Sequence, residues 1–155
     1  MLKYVNSDVV FQEIPDEVTL CVNISNCPCH CPGCHSQYLW GDVGSPLTTE
    51  VIDDFVAQNR HSITCICFMG GDAEPAEVNR LARYVKQAYP QLKVGWYSGK
   101  SLVPRGVRKD DFDYIKLGPY LRHLGSLKEK TTNQRLYKHL DDGQFADITY
   151  RFWKK

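Results

Sequence analysis

The chain has 155 residues, 43% hydrophobic and 12% aromatic, which is enough for one buried core and short for two independently stable domains. Nineteen Lys and Arg stand against eighteen Asp and Glu, a balance that excludes a partner recruited by net charge, whether nucleic acid or an acidic membrane surface. A single domain over residues 1–155 is therefore expected. The opening residues, Met1 to Asp8, lack the apolar run of a signal peptide, and no later stretch is long enough to span a bilayer. A cytoplasmic location is expected, where thiols stay reduced. Seven cysteines are an odd number and four of them fall between positions 27 and 34, so metal or cluster ligation is favoured over a disulfide framework.

Residues 18–24 are rich in β-branched side chains and read as a strand that runs directly into the cysteine cluster. Past a turn-rich passage over 41–46, Val51, Ile52, Phe55 and Val56 recur at helical spacing behind Thr48 and Thr49, either of which is a suitable cap. Residues 63–69 form a nearly continuous apolar run ending in Gly70-Gly71, as expected of a parallel strand covered on both faces. Val78, Leu81, Ala82 and Val85 mark a second helix, with Asp72, Glu74 and Pro75 at its front. Further strands over 92–97 and 112–117 close on Ser98-Gly99 and Gly118-Pro119. Beyond Tyr120 the pattern predicts a helix over 132–140 and a last strand over 146–150. This alternation predicts a parallel α/β sheet. A complete eight-unit barrel takes about 250 residues, so the expected fold is an incomplete parallel (β/α) barrel, open on one side.

The cysteine segment reads Cys27-Pro28-Cys29-His30-Cys31-Pro32-Gly33-Cys34-His35. A structural zinc usually draws two ligand pairs from separate parts of the chain, and no second Cys-x-x-Cys pair follows. Cys65 and Cys67 point to one face of a strand and, like Cys21, read as small buried hydrophobes. Taking Cys27, Cys31 and Cys34 gives a Cys-x3-Cys-x2-Cys triad, able to supply three thiolates to one cubane and leaving one iron without a protein ligand. His30 and His35 read as polar loop residues.

That spacing resembles the radical-SAM superfamily. Within it, the chain is most similar to the activating proteins of the anaerobic (class III) ribonucleotide reductase, with the pyruvate formate-lyase activases next. The resemblance extends to Gly33 before the third cysteine, to Trp40 six residues past it, and to Gly70-Gly71-Asp72 as a SAM motif. It includes Tyr97-Ser98-Gly99, the segment from Ile115 to Tyr120, and Asn133-Gln134-Arg135 near the end. It implies a 4Fe–4S cluster on Cys27, Cys31 and Cys34, with S-adenosylmethionine bound at the vacant iron. It also implies a glycyl-radical enzyme as partner, most of all the anaerobic ribonucleotide reductase, and a low-potential electron donor such as flavodoxin. A lateral opening of the barrel would admit a glycine-bearing loop.

Gly70 and Gly71 suit SAM because residues without a Cβ let backbone groups approach a ligand closely. Asp72 either adds a charge there or only caps the following helix. Ser98 and Lys116 sit at expected strand ends, where ligand groups gather, although Lys116 also fits a solvated strand position. Trp40 either shields the cluster or packs the loop. The pattern departs from the family at Cys29, an extra thiol that reads as spacer, competing ligand or redox-active extra, and at Ser36 and Ala73-Glu74. The mixed aromatic and basic tail from Tyr150 to Lys155 fits an interface or a solvated end equally. Two rival readings are a small radical-SAM enzyme acting on a metabolite, such as those of modified-deazaguanine synthesis, and a zinc-binding interaction module.

Overall fold

A computed structural model describes residues 2–29 and 39–153. In chain order its elements are β1 (Lys3–Val10), β2 (Thr19–Ile24), β3 (Ser45–Pro46), α1 (Thr49–Gln58), β4 (Cys65–Met69), α2 (Pro75–Ala88), β5 (Lys93–Tyr97), β6 (Tyr114–Leu117), β7 (Arg135–His139) and β8 (Phe145–Asp147). Short 3-10 turns occupy Lys109–Asp111 and Thr149–Phe152. The strands form one mixed sheet in the order β3-β1-β2-β4-β5-β6-β7-β8.

Only β2, β4, β5 and β6 run parallel; the pairs flanking them are antiparallel, so the parallel strands that were expected form the centre of a mixed sheet. The physical reason lies in the connections. A parallel neighbour needs a crossover, usually a helix, whereas residues 11–18 and 118–134 hold no described helix and return the chain beside the strand it has just left. Between β5 and β6 the alternation also breaks, because the crossover over 98–113 contains one 3-10 turn and no α-helix.

Register and pleat sort the strand residues into rows. Val22, Phe68, Trp96 and Ile115 are neighbours across the four parallel strands and are buried on the face that α1 and α2 cover. Ile52 and Val56 of α1, with Val78, Leu81 and Val85 of α2, close over this row. Each such fully buried side chain contributes about 1.5–3 kcal/mol through area removed from water. Thr48, not Thr49, caps α1: its side chain accepts from the Val51 N–H at 3.3 Å. Pro75 starts α2, where a missing N–H costs nothing, and Glu74 is the residue at its N-cap.

The opposite face begins with small residues. Cys21, Cys67 and Gly95 are in register, and Ile14 plugs the space above them: a Cβ on Gly95 would stand 2.8 Å from Ile14 Cδ1 and 3.2 Å from Cys67 Sγ. Burial pushes the Cys65 and Cys67 thiols well above the ordinary thiol range, so they pack in this face as neutral thiols.

Three local expectations change. Residues 135–139 form a strand where a helix was expected over 132–140; Leu136 and Leu140 have helical spacing, yet pairing with β6 buries Leu136 on the inner face and overrides it. The strand expected over 146–150 is β8, displaced to Phe145–Asp147, and the chain then coils into the 3-10 turn. β1 was not foreseen, because it is half exposed along its whole length and lacks a buried alternation. Among the described residues no helix is long and apolar enough to cross a membrane.

Candidate iron–sulfur site

The site is built where the parallel strands end. The next inward row after the thiols is Asn23, Met69, Tyr97 and Lys116, neighbours across β2, β4, β5 and β6. All four border a cavity of about 180 Å³, together with Cys27, Cys29, Trp40, Gly70, Asp72 and Gly99 from the connections that leave those strands. A second cavity of about 440 Å³ opens beside it and shares Met69, Tyr97, Lys116, Tyr120 and Gln134 as a common wall.

β2 delivers the cysteine loop. Ser25 and Asn26 turn the chain out of the strand, Asn26 with a left-handed φ of 59°, and its N–H donates to Gly41 O at 2.9 Å. The Cys27 N–H donates to Leu39 O at 3.0 Å, so the two ends of the loop are joined at its neck. Cys27 is half-buried with a free thiol on the cavity. Cys31 and Cys34, with His30, His35 and Ser36, lie outside the described residues. Among those described, no group of three or more Cys, His, Asp or Glu gathers into a metal site.

β4 delivers the glycines. Gly70 and Gly71 both have left-handed φ, 105° and 89°, and a Cβ at Gly71 would lie 2.5 Å from Val78 Cγ2. Trp96 Nε1 donates to Gly70 O at 2.8 Å and Gly70 N–H donates to Tyr97 O at 3.0 Å, so the turn is fastened to β5. Gly70 borders the cavity, whereas Gly71 faces α2.

Asp72 does not cap α2. Its side chain is buried at 8% exposure and turned across the strand ends, where it accepts from Ser98 Oγ at 2.5 Å and from the Gly99 N–H at 2.8 Å. Ser98 is fully buried, stands behind Asp72 and does not border the cavity; its Oγ also accepts from the Lys100 N–H at 3.1 Å. Lys116 is not solvated. Its ammonium donates to Gly118 O at 2.9 Å and Ser98 O at 3.2 Å, and stands 5.9 Å over the Tyr97 ring. Tyr97 is held by a hydrogen bond to the Glu13 carbonyl, and burial pushes its phenol well above the ordinary range, so it remains a neutral wall.

The structure thus brings Cys27, Gly70, Asp72 and Lys116 to one cavity and sets Gly71 and Ser98 behind its wall. Sequence reasoning missed Asn23, Met69 and Tyr97 as lining residues. Their signal was available: each occupies the last inward position of its parallel strand. Another cavity, of about 510 Å³, lies elsewhere, among Leu102, Val103, Val107, Ile115, Tyr137 and Phe145 on the outer face. Its wall contains neither thiol nor carboxylate, so soft-metal ligation belongs to the smaller cavity.

Over residues 17–109 the chain matches the model of a family described as a 4Fe-4S single cluster domain. The chain belongs to this 4Fe–4S single-cluster family. No characterised protein and no solved structure matches it. The matched span runs from the start of β2, through the cysteine loop and the glycine turn, past β5, and it decides between iron–sulfide and zinc in favour of a cluster. The residues of the site fit such a group. A free thiol borders a cavity at the mouth of a loop closed at its neck, the following glycine turn carries no side chain toward that cavity, and a buried ammonium offsets negative charge across it. In this family member the cysteine loop is the only part of the sequence with enough soft donors to hold a cubane.

Proposed function

We propose that this iron–sulfur protein is a radical-SAM activase that installs a glycyl radical on a larger partner, with the anaerobic ribonucleotide reductase as that partner. The observation that carries the reading is the convergence of Cys27, the Gly70 turn, Asp72 and Lys116 on one strand-end cavity, within a parallel core whose remaining strands leave the sheet open. The partial, laterally open barrel is part of the same proposal. Cys27, Cys31 and Cys34 would hold the 4Fe–4S cluster, which would supply the one electron needed for reductive cleavage of S-adenosylmethionine to methionine and a 5′-deoxyadenosyl radical able to take a hydrogen atom from a glycine Cα.

The chain's own residues serve that chemistry by holding and excluding. The Gly70 backbone, free of a Cβ, lets a zwitterionic amino-acid group come close to the strand end. Asp72, fixed by Ser98 and Gly99, offers a set carboxylate to an ammonium group; Lys116, fixed by two carbonyls, offers the opposite charge to a carboxylate. Met69 and the neutral Tyr97 ring form an apolar floor that keeps water from a reactive carbon. The neighbouring 440 Å³ cavity gives a route from this floor to the surface for a peptide segment.

The test is anaerobic reconstitution with iron and sulfide, then reduction with SAM and the anaerobic ribonucleotide reductase, reading 5′-deoxyadenosine and an EPR glycyl-radical doublet. A doublet that disappears in Cys31→Ala supports the activase. Deoxyadenosine without a doublet redirects the enzyme to another substrate, a different glycyl-radical enzyme or a metabolite, and neither product from cluster-loaded protein overturns the proposal.

A further inference from the structure

Cys29 lies inside the cluster loop, and the triad spacing leaves it over. Its Sγ reaches Asp72 and Gly99, in the connections that leave β4 and β5. Its Sγ–H donates to Asp72 Oδ2 at 3.9 Å. The sulfur also rests on the bare Cα of Gly99, so that a Cβ built there would stand 2.6 Å from Cys29 Sγ and 3.3 Å from Cys29 Cβ. Gly99 does not have a left-handed φ, unlike Gly70 and Gly71, so backbone conformation does not call for glycine at this position. Room for the sulfur does.

We infer that Cys29 is a positioning residue and not a cluster ligand: it docks the cysteine loop onto the strand ends, with the Asp72 carboxylate as its acceptor and the Gly99 backbone as its seat. The neck bond joins Cys27 to Leu39. The contacts with Asp72 and Gly99 add an attachment at Cys29, two residues past Cys27. The acceptor is itself rigid, because Ser98 Oγ and the Gly99 N–H already hold Asp72. A thiol suits the seat: sulfur is large and polarisable enough to cover the glycine, and its S–H is a weak donor that asks for only one acceptor.

The test uses the full chain with Cys29→Ala, Cys29→Ser, Gly99→Ala and the double variant Cys29→Ala/Gly99→Ala. Three readouts are taken: iron and sulfide content after anaerobic reconstitution, SAM affinity of the loaded protein, and the melting temperature of the metal-free chain. Both Cys29 variants are expected to keep wild-type iron and sulfide while Cys31→Ala loses them. Cys29→Ala weakens SAM binding about two- to fivefold, the scale of one weak S–H donor bond, and Cys29→Ser recovers part of that loss. Gly99→Ala lowers the melting temperature, and Cys29→Ala in the same chain restores most of it, because the offending sulfur is gone.

Loss of iron in Cys29→Ala would overturn the inference and make Cys29 a ligand. Additive melting effects at positions 29 and 99 would overturn it as well, and so would unchanged SAM affinity in Cys29→Ala. The SAM readout rests on the radical-SAM reading. If the wild-type loaded protein binds no SAM, that reading falls, while the iron and melting readouts still decide the role of Cys29.

Discussion

On the outer face of the sheet the row Val22, Phe68, Trp96 and Ile115 is buried, its first three members beneath the helices, whereas one residue further along the same four strands the inward row Asn23, Met69, Tyr97 and Lys116 borders the strand-end cavity. The two rows share a backbone and a register, and they place different demands on the sequence. The sealed row needs apolar volume of the right shape, and several residue types would supply it. The open row and its connections need particular groups. Asp72 has two donors besides the Cys29 thiol, Lys116 has two carbonyls, and the Gly70 turn has a Trp96 N–H on its oxygen. Substitutions on the two sides should therefore separate stability from cluster and ligand binding.

The largest expected effect is at the cysteines. Cys27→Ala, Cys31→Ala and Cys34→Ala should each abolish retention of the cluster, measured as iron, sulfide and visible absorbance after anaerobic reconstitution. The denaturant midpoint of the metal-free chain should stay near wild type, since the sealed row is untouched. A large fall in that midpoint for Cys27→Ala would break the comparison by making the loop part of the core. Phe68→Ala is its mirror image. Removing this fully buried ring should cost about 3–5 kcal/mol in denaturant unfolding, with iron content per folded molecule unchanged.

Asp72→Ala falls between the two. It strips the buried Ser98 hydroxyl and the Gly99 N–H of their acceptor, which should cost roughly 1–3 kcal/mol in denaturant unfolding. On the proposed radical-SAM reading, SAM affinity of the loaded protein should fall in the same variant. A stability loss with SAM affinity intact would assign Asp72 to fastening β4 to β5 alone.

The same contrast explains what was legible in the sequence. The sealed side was readable because periodicity reports burial: residues 63–69, and the spacing of Val78, Leu81, Ala82 and Val85, correspond to β4 and the buried stripe of α2. An iron–sulfur cluster was readable because closely spaced soft donors have few other uses, and the family match bears out the cluster. What stayed hidden depends on partners remote in sequence. Lys116 has the look of a surface residue until the carbonyls of Ser98 and Gly118 close on its ammonium. Asp72, three residues before Pro75, could as well have been a cap; only the approach of β5 turns it sideways. The strand over Arg135–His139 was misread for the same reason, since its pairing with β6 is a long-range contact.

The smallest expected effect lies on the helix side and depends on pH. Asp53 of α1 accepts from the Tyr84 and Tyr89 hydroxyls at 2.7 and 2.6 Å, which ties α1 to α2 and to the residue that follows it. The hydrogen bond from Tyr89, then that from Tyr84, holds the Asp53 carboxyl below its ordinary value of 3.8, while the same carboxylate raises both phenols, Tyr89 to about 12 from an ordinary 10.0. A lowered carboxyl contributes stability that is present above its unfolded value and is lost as the pH falls through the folded one. A raised phenol contributes stability that is present below its unfolded value and is lost as the pH rises through the folded one. The clamp should thus be complete from about pH 4 to pH 10 and weaken at both ends. In melting-temperature profiles of the metal-free chain, Asp53→Asn should flatten the acid and the alkaline limbs together, whereas Tyr89→Phe should flatten both only in part, because Tyr84 still donates to the carboxylate. Because Asp53 is exposed enough for solvent to screen it, the shifts should be small and fade with salt. An Asp53→Asn profile parallel to wild type at both ends would mean that the helices are held by their apolar stripe alone, which would make the contrast with the polar strand ends sharper still.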